Sequence, residues 1–154
     1  MPKKLTRSKL VKKLDNVFSQ YIRLSNSKDL HCTCVTCGKV GHWKNGGIQA
    51  GHFQSRKHYS TRWDERNVKP QCVGCNMFKA GEQYKFSLYL GGKLSEELLQ
   101  ESRKIRKFTS VELEEMVDYY SSKIKNILNW IVCLLLRLKG VGLISYPFFC
   151  YIKN

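Results

Sequence analysis

Four cysteines in two matched pairs are the first residues here with a chemistry of their own. Cys34-Val35-Thr36-Cys37 and Cys72-Val73-Gly74-Cys75 are both C-x-x-C knuckles. A short spacer of this kind turns both sulfurs of a knuckle toward one point, and two knuckles complete a tetrahedral set of thiolates. Zn²⁺ suits that set, being soft enough for sulfur and free of redox chemistry. A full set of thiolates leaves no open position, so the expected zinc is structural. Two redox pairs and an iron–sulfur cluster are the competing readings, although neither knuckle stands in a thioredoxin-like setting. Cys32 competes with Cys34, and His31 is a further donor beside it; the spacing matched to the second knuckle favours Cys34. Cys133 and Cys150 fall in an apolar stretch and read as buried thiols.

Thirty-four residues separate the knuckles, more than a plain ribbon loop needs, so the metal would clamp the two ends of an insert. The insert holds Ala50-Gly51-His52-Phe53 and Asp64-Glu65-Arg66-Asn67, and Asn76 directly follows the second knuckle. His52, Asn67 and Asn76 have the order and spacing of an HNH motif in its His-Asn-Asn form. A lone histidine would read as a surface residue or a spare zinc ligand; two asparagines at fitting offsets favour chemistry. Arg56, Lys57, His58, Arg62, Arg66, Lys69 and Lys79 surround the motif and are candidate contacts to DNA phosphates. Phe53, Tyr59 and Trp63 lie among them. Such rings stack on bases where strands separate, or they form the insert's own small core, the favoured reading for Trp63 and Phe53.

Something must hold this insert in place. From Thr6 a helical period places Leu10, Leu14, Val17, Phe18, Tyr21 and Ile22 on one face, ending near Ser25-Asn26-Ser27. Residues 31–81 are rich in Cys, His, Gly and Asn, and could not order themselves from their own core. A second helix is expected from Ser95, as N-cap, to Lys107. Thr109 to Glu112 is a capping box opening a third, through Leu113, Met116, Val117, Tyr120, Ile124 and Ile127. The chain thus divides into a basic N-terminal helix (1–30), a zinc-bound core (31–94), C-terminal helices (95–126) and an apolar tail (127–154). Arg137 and Lys139 interrupt that tail, and Gly140, Gly142 and Pro147 break it, so core packing or an interface is expected rather than a membrane anchor.

Charge identifies the partner class. Lys and Arg number 27 against 12 Asp and Glu, a net charge of +15. Nucleic acid neutralises such a surplus through its phosphates; solubility alone is the bland alternative. Met1-Pro2-Lys3-Lys4 opens without the apolar run of a signal peptide, so a reducing compartment is expected, where paired cysteines read as metal ligands.

From Tyr21-Ile22-Arg23 to Gly81 the sequence resembles the NinG (Rap) family of lambdoid phage recombination nucleases. The matching pieces are Cys-x-x-Cys-Gly at 34–38, Ala-Gly-His-Phe at 50–53, Arg62-Trp63-Asp64-Glu65-Arg66-Asn67-Val68, and Gln71 through Asn76 to Lys79 and Gly81. A weaker similarity runs from Phe108-Thr109 to Met116. The resemblance implies an α+β fold, a small zinc-stapled ββα-metal (HNH-like) core flanked by N- and C-terminal α-helices. It implies that His52 ends the first strand as general base, Asn67 holds the loop that orients it, and Asn76 offers its carbonyl oxygen to Mg²⁺ or Mn²⁺. Many HNH proteins carry Asp or His before the base as a second ligand. Here Gly51 stands there, as the resemblance includes, which leaves Gln49 or Asp64 to supply that ligand. The activity implied is endonucleolytic hydrolysis of branched recombination intermediates, a Holliday junction or D-loop, in the cytoplasm of a host cell. A homodimer would suit symmetric nicking. An HNH nuclease of restriction, homing or packaging type, and a non-catalytic zinc module binding nucleic acid by charge, are the alternatives.

Overall fold

The amphipathic period of residues 7–25 has a direct outcome. In the computed structural model, which describes residues 5–138, α1 (Arg7–Ser25) buries Leu10, Leu14, Phe18, Tyr21, Ile22 and Leu24. Lys9, Lys12 and Lys13 face solvent. The helix stops where the Asn26 amide and its side chain both donate to the Ile22 carbonyl, at 3.3 and 2.8 Å.

Short strands follow. β1 (Ser27–Lys28), β2 (His31–Thr33) and β3 (Val40–His42) form an antiparallel sheet in that order. β4 (Ile48–His52) and β5 (Val68–Cys72) form a separate antiparallel ribbon, paired from Ile48↔Cys72 to His52↔Val68. A π-helical turn, Gly74–Phe78, leads to α2 (Gln83–Leu90), α3 (Gly92–Ser102) and the long α4 (Ser110–Leu138).

Two hydrophobic clusters hold these pieces. In the first, Leu10, Leu14, Phe18, Tyr21 and Ile22 of α1 meet Leu113, Val117 and Tyr120 of α4, with Ala50, Trp63 and Val68 closing it. Each fully buried Leu or Phe stabilises by roughly 1.5–3 kcal/mol, so this helix pair needs no metal to hold together. In the second, Leu24, Trp43 and Ile48 surround Cys32, Cys34, Cys72 and Cys75, and Ile124, Ile127, Leu128 and Ile131 of α4 cover it.

The mixed α+β class is therefore present. The expected capping box at Thr109 is also made: the Thr109 amide donates to Glu112 Oε2 at 2.7 Å and the Glu112 amide to Thr109 Oγ1 at 3.2 Å. The expected Ser95–Lys107 helix differs at both ends. It begins at Gly92, because Gly91 takes φ +81° and turns the chain sharply between α2 and α3. Ser95 lies inside it and ends no helix. Helix α2 was not foreseen, since Phe86 alone of its side chains is buried.

Helix α4 runs unbroken across 126/127, so a tail does not begin there; residues 139–154, with Gly140, Gly142, Pro147 and Cys150, lie outside the described residues. Among the described residues no helix is long and apolar enough to cross a membrane. Truncation after Asn126 removes Ile127, Leu128 and Ile131 from the second cluster. At roughly 1 kcal/mol for each partly buried aliphatic, a shortened chain should melt several degrees lower, which differential scanning calorimetry would measure.

Candidate metal centre and active site

The knuckles converge. The sulfurs of Cys34, Cys37, Cys72 and Cys75 all lie within 4.8 Å of one another, and Cys37 Sγ is 3.7 Å from Cys72 Sγ. With Zn–S bonds of about 2.3 Å, a tetrahedral ZnS₄ unit has S···S edges near 3.8 Å, so the cluster fits a zinc-sized ion. Cys32 is excluded: it is fully buried and its thiol donates to the Arg23 carbonyl at 2.9 Å. His31 points elsewhere too, with Nδ1 2.8 Å from the Asp29 carbonyl.

The sulfurs are unequal without an ion. Burial opposes ionisation of Cys34, but hydrogen bonds from the Thr36 hydroxyl and from backbone amides outweigh it and lower that thiol to about 6. At Cys37 the Lys39 amide favours the thiolate, yet burial and the three neighbouring sulfurs prevail and push it up to about 12. Four sulfurs this close share protons; a divalent cation is what allows all four to ionise together.

β4 carries His52 as its last residue. Its Nε2–H donates to the Arg62 carbonyl at 3.0 Å. A carbonyl only accepts, so the ring's proton sits on Nε2 and Nδ1 is left with a lone pair. Nδ1 is buried away from solvent and has no hydrogen-bond partner. Burial, reinforced by the charge of Arg56, pushes His52 down to about 4, against the opposing pull of the Arg62 carbonyl, Asp15 and the Ala50 carbonyl. The ring is therefore neutral at pH 7.

That shift has a consequence for stability. In the unfolded chain the imidazole titrates near its usual value of about 6.5, so on acidification the unfolded state binds the proton first. Stability should be complete above that value and decline as pH falls toward about 4, by about 3 kcal/mol in all. His52→Gln keeps an N–H for the Arg62 carbonyl and has nothing to titrate. Urea unfolding across this window should show a shallower acid loss in that variant.

Asn67 precedes β5 and is fully buried. Its Oδ1 accepts the Gln54 amide at 2.7 Å, and its Nδ2 donates to the carbonyls of Gln54 and Thr61 at 3.0 and 2.9 Å. Three bonds thus close the loop between β4 and β5, and the Thr61 carbonyl so held is one residue from the carbonyl that holds His52.

Asn76 lies in the π-helical turn beside Cys75. Its Nδ2 donates to Gln49 Oε1 at 2.7 Å, which leaves the amide oxygen available. Of the two residues considered as a second cation ligand, Gln49 meets Asn76, whereas Asp64 is closed onto Arg66 through a 2.7 Å ion pair. Strand alternation puts Gln49 and His52 on opposite faces of the ribbon. Asn76 thus meets β4 near its start, through Gln49, and His52 closes the far end of the strand on the opposite face.

Gly51 sits where another side chain already is. A Cβ there would lie 1.9 Å from Gln71 Oε1. Gln71 is fully buried, and its Nε2 donates to the Gly81 carbonyl at 2.8 Å and reaches Thr36 Oγ1 at 3.4 Å. Thr36 in turn contacts Cys34 Sγ at 3.3 Å. The missing side chain at 51 thus makes room for a strut between the sulfur cluster and the His52 strand. Gly51→Ala should cost about 1–3 kcal/mol through overpacking, read as a lower denaturation midpoint at unchanged slope.

The basic residues divide. Arg56, Lys57 and His58 are exposed on the β4–β5 loop. Arg62, expected to face DNA, is turned inward: its guanidinium binds Asp15 at 2.6 and 3.0 Å and lies over the Tyr59 and Trp63 rings. Lys69 is half-buried, its Nζ donating to the Glu65 carbonyl at 2.9 Å. Arg66 pairs with Asp64, and Lys79 lies 3.4 Å from Glu82 while still exposed. Internal carboxylates and carbonyls satisfy these groups, a competition that spacing alone does not reveal.

The aromatic residues divide likewise. Trp63 is buried, Tyr59 stands edge-on to it, and Phe53 packs on Phe86. Phe78, two residues beyond Asn76, is 81% exposed, and Tyr84, in α2, is 75% exposed. Asp15, Gln71 and Phe78 were not singled out from the sequence. Asp15 does carry a signal, as the one carboxylate among residues 1–28.

The model of the family described as "NinG: Bacteriophage Lambda NinG protein" matches residues 3–129. Among curated relatives, Protein ninG of Escherichia phage 933W is 26% identical over 127 residues, 80% of this chain and 60% of the relative. Protein ninG of Escherichia phage lambda is 26% identical over 127 residues (80% and 59%), and that of Salmonella phage P22 25% over 125 residues (79% and 59%). The chain thus spans about three fifths of the length of these relatives. No solved structure matches. The family match runs from the basic helix through the four-sulfur cluster and the histidine strand into α4, and the chain belongs to the NinG family.

Proposed function

We propose that this chain is a cation-dependent endodeoxyribonuclease of the HNH type, with the β4–β5 ribbon and the turn at Asn76 as its ββα-metal core. The observation that carries this reading is His52. Its Nε2–H is committed to the Arg62 carbonyl, and its Nδ1 lone pair has no protein partner on a ring that is neutral at pH 7. A general base needs an acceptor nitrogen on an imidazole of fixed tautomer, and substrate binding would have to open the buried Nδ1 to the attacking water.

The other residues follow from it. Asn67 holds the loop that supplies the Arg62 carbonyl. Asn76, with Nδ2 donated to Gln49, presents one hard oxygen. One amide oxygen, and no ligand from Gly51, suits Mg²⁺ or Mn²⁺, which keep several waters in their shells. A cation held there would polarise the scissile phosphate and offset charge on the leaving oxygen. His52 would take the proton of the attacking water, which must lie across the phosphorus from the leaving oxygen. Arg56, Lys57 and His58 contact the DNA backbone, and the net charge of +15 draws the polyanion in.

Branched recombination intermediates, a phage or prophage setting, the cytoplasm of the host and a homodimer that nicks symmetrically complete the reading, and rest on the family. The experiment is cleavage of supercoiled plasmid, and of linear, single-stranded, flapped and four-way DNA side by side, with Mg²⁺, Mn²⁺ or chelator. Salt-sensitive binding with no cleavage under any cation would make the chain a zinc-containing binding module instead.

A further inference from the structure

Beyond its apolar packing on Ala50, Trp63 and Val68, helix α1 reaches the His52 site through the Asp15 carboxylate. Asp15 accepts from Arg62 Nε at 3.0 Å, from the Arg62 terminal nitrogen at 2.6 Å and from Trp63 Nε1 at 3.0 Å. It therefore grips the side chains of two consecutive residues, and the carbonyl of the first is the acceptor for His52 Nε2–H. Arg62 is further fixed by its own donation to the Arg56 carbonyl at 2.9 Å and by the rings of Tyr59 and Trp63. Asn67 holds the preceding carbonyl, Thr61, from inside the loop.

We infer that Asp15 is a positioning residue for His52, setting the place of the Arg62 carbonyl from outside the loop as Asn67 does from inside. The chain of contacts is Asp15 carboxylate, Arg62 guanidinium, Arg62 carbonyl, His52 imidazole. Only a bidentate acceptor on α1 serves, because Arg62 and Trp63 must both be held for the intervening peptide to be fixed. Arg56 and Asp15 are the charged groups that act on the imidazole, with opposite effects. The catalytic consequence rests on the nuclease reading; the positioning does not.

The test uses the full zinc-loaded chain and two readouts. Two-dimensional ¹⁵N–¹H spectra of the imidazole report which ring nitrogen carries the proton, whether or not the protein cleaves DNA. In the unsubstituted chain His52 should show the Nε2–H tautomer alone. Asp15→Asn keeps the volume and loses the charged bidentate grip, and should give a mixture of tautomers. In the cleavage assay it should lower kcat by at least about tenfold with little change in KM, as expected for a misplaced base, while Asp15→Glu recovers part of the loss. Arg62→Met keeps the stem between the rings, cuts the same link from its other end, and should reproduce the mixture. A pure Nε2–H tautomer in both folded variants would overturn the assignment. Global unfolding of both would overturn it too, making Asp15 a general clamp. Absence of cleavage by the unsubstituted chain counts against the nuclease reading alone, since the tautomer still reports on positioning.

Discussion

Stripping the metal from the four sulfurs should unfold the middle of the chain while the pairing of α1 with α4 survives in part. Structural zinc in thiolate sites contributes apparent free energies of about 10–16 kcal/mol near neutral pH. A whole domain of this size is stable by only about 5–15 kcal/mol. β1 to β5 are two to five residues long, too short to persist alone. The cluster that covers the sulfurs has only Leu24, Trp43 and Ile48 as large buried apolar side chains, with α4 laid against them. The first cluster contains none of the four cysteines. Chelation at neutral pH should therefore shift Trp43 fluorescence and abolish protection of the β4–β5 amides, with much of the helical circular dichroism retained. Cys72→Ser should behave the same way. An unchanged melt after the metal is removed would mean that the sulfurs hold nothing.

The second large effect belongs to His52. His52→Ala should lower cation-dependent plasmid cleavage by about 10²–10⁴-fold, the range for loss of a general base. Zinc content and DNA affinity should stay as they were, since the ring touches neither the sulfurs nor the exposed cations Arg56 and Lys57. Asn76→Ala should lose cleavage as well, with a raised requirement for Mg²⁺ or Mn²⁺ that His52→Ala does not show. Full cleavage by His52→Ala at matched cation would remove the base assignment. In that case Asn67, whose three hydrogen bonds close an ordinary loop equally well, would be a structural residue only.

The main pieces of this molecule could be read from local pattern. The helix at 7–25 follows from its apolar spacing, the start of α4 from Thr109 and Glu112, and the sulfur cluster from two equal knuckles. These signals are legible because each depends on residues a few positions apart, where backbone geometry alone settles what can meet. That Asn67 holds a loop was an expectation of the family resemblance rather than of local pattern, and its three hydrogen bonds across the β4–β5 loop are what folding adds. Helix α2 was not foreseen, because its single buried side chain leaves no periodic trace.

What tertiary structure decided is the fate of each polar side chain once distant elements packed. Its place among the basic residues around the motif put Arg62 with the expected DNA contacts; α1, nearly fifty residues earlier, supplies the carboxylate that turns it inward. Gly51 read as a missing ligand; folding fills its place with the Gln71 amide from the facing strand. Trp63 became core and Phe53 packs half-buried on Phe86, while Phe78 was left exposed. Residue types and short spacings by themselves determined which groups could bind metal, move a proton or meet phosphate. Only the packed chain determined which of them are free to do so, because a buried charge or amide must find an internal partner, and that partner can come from anywhere in the sequence.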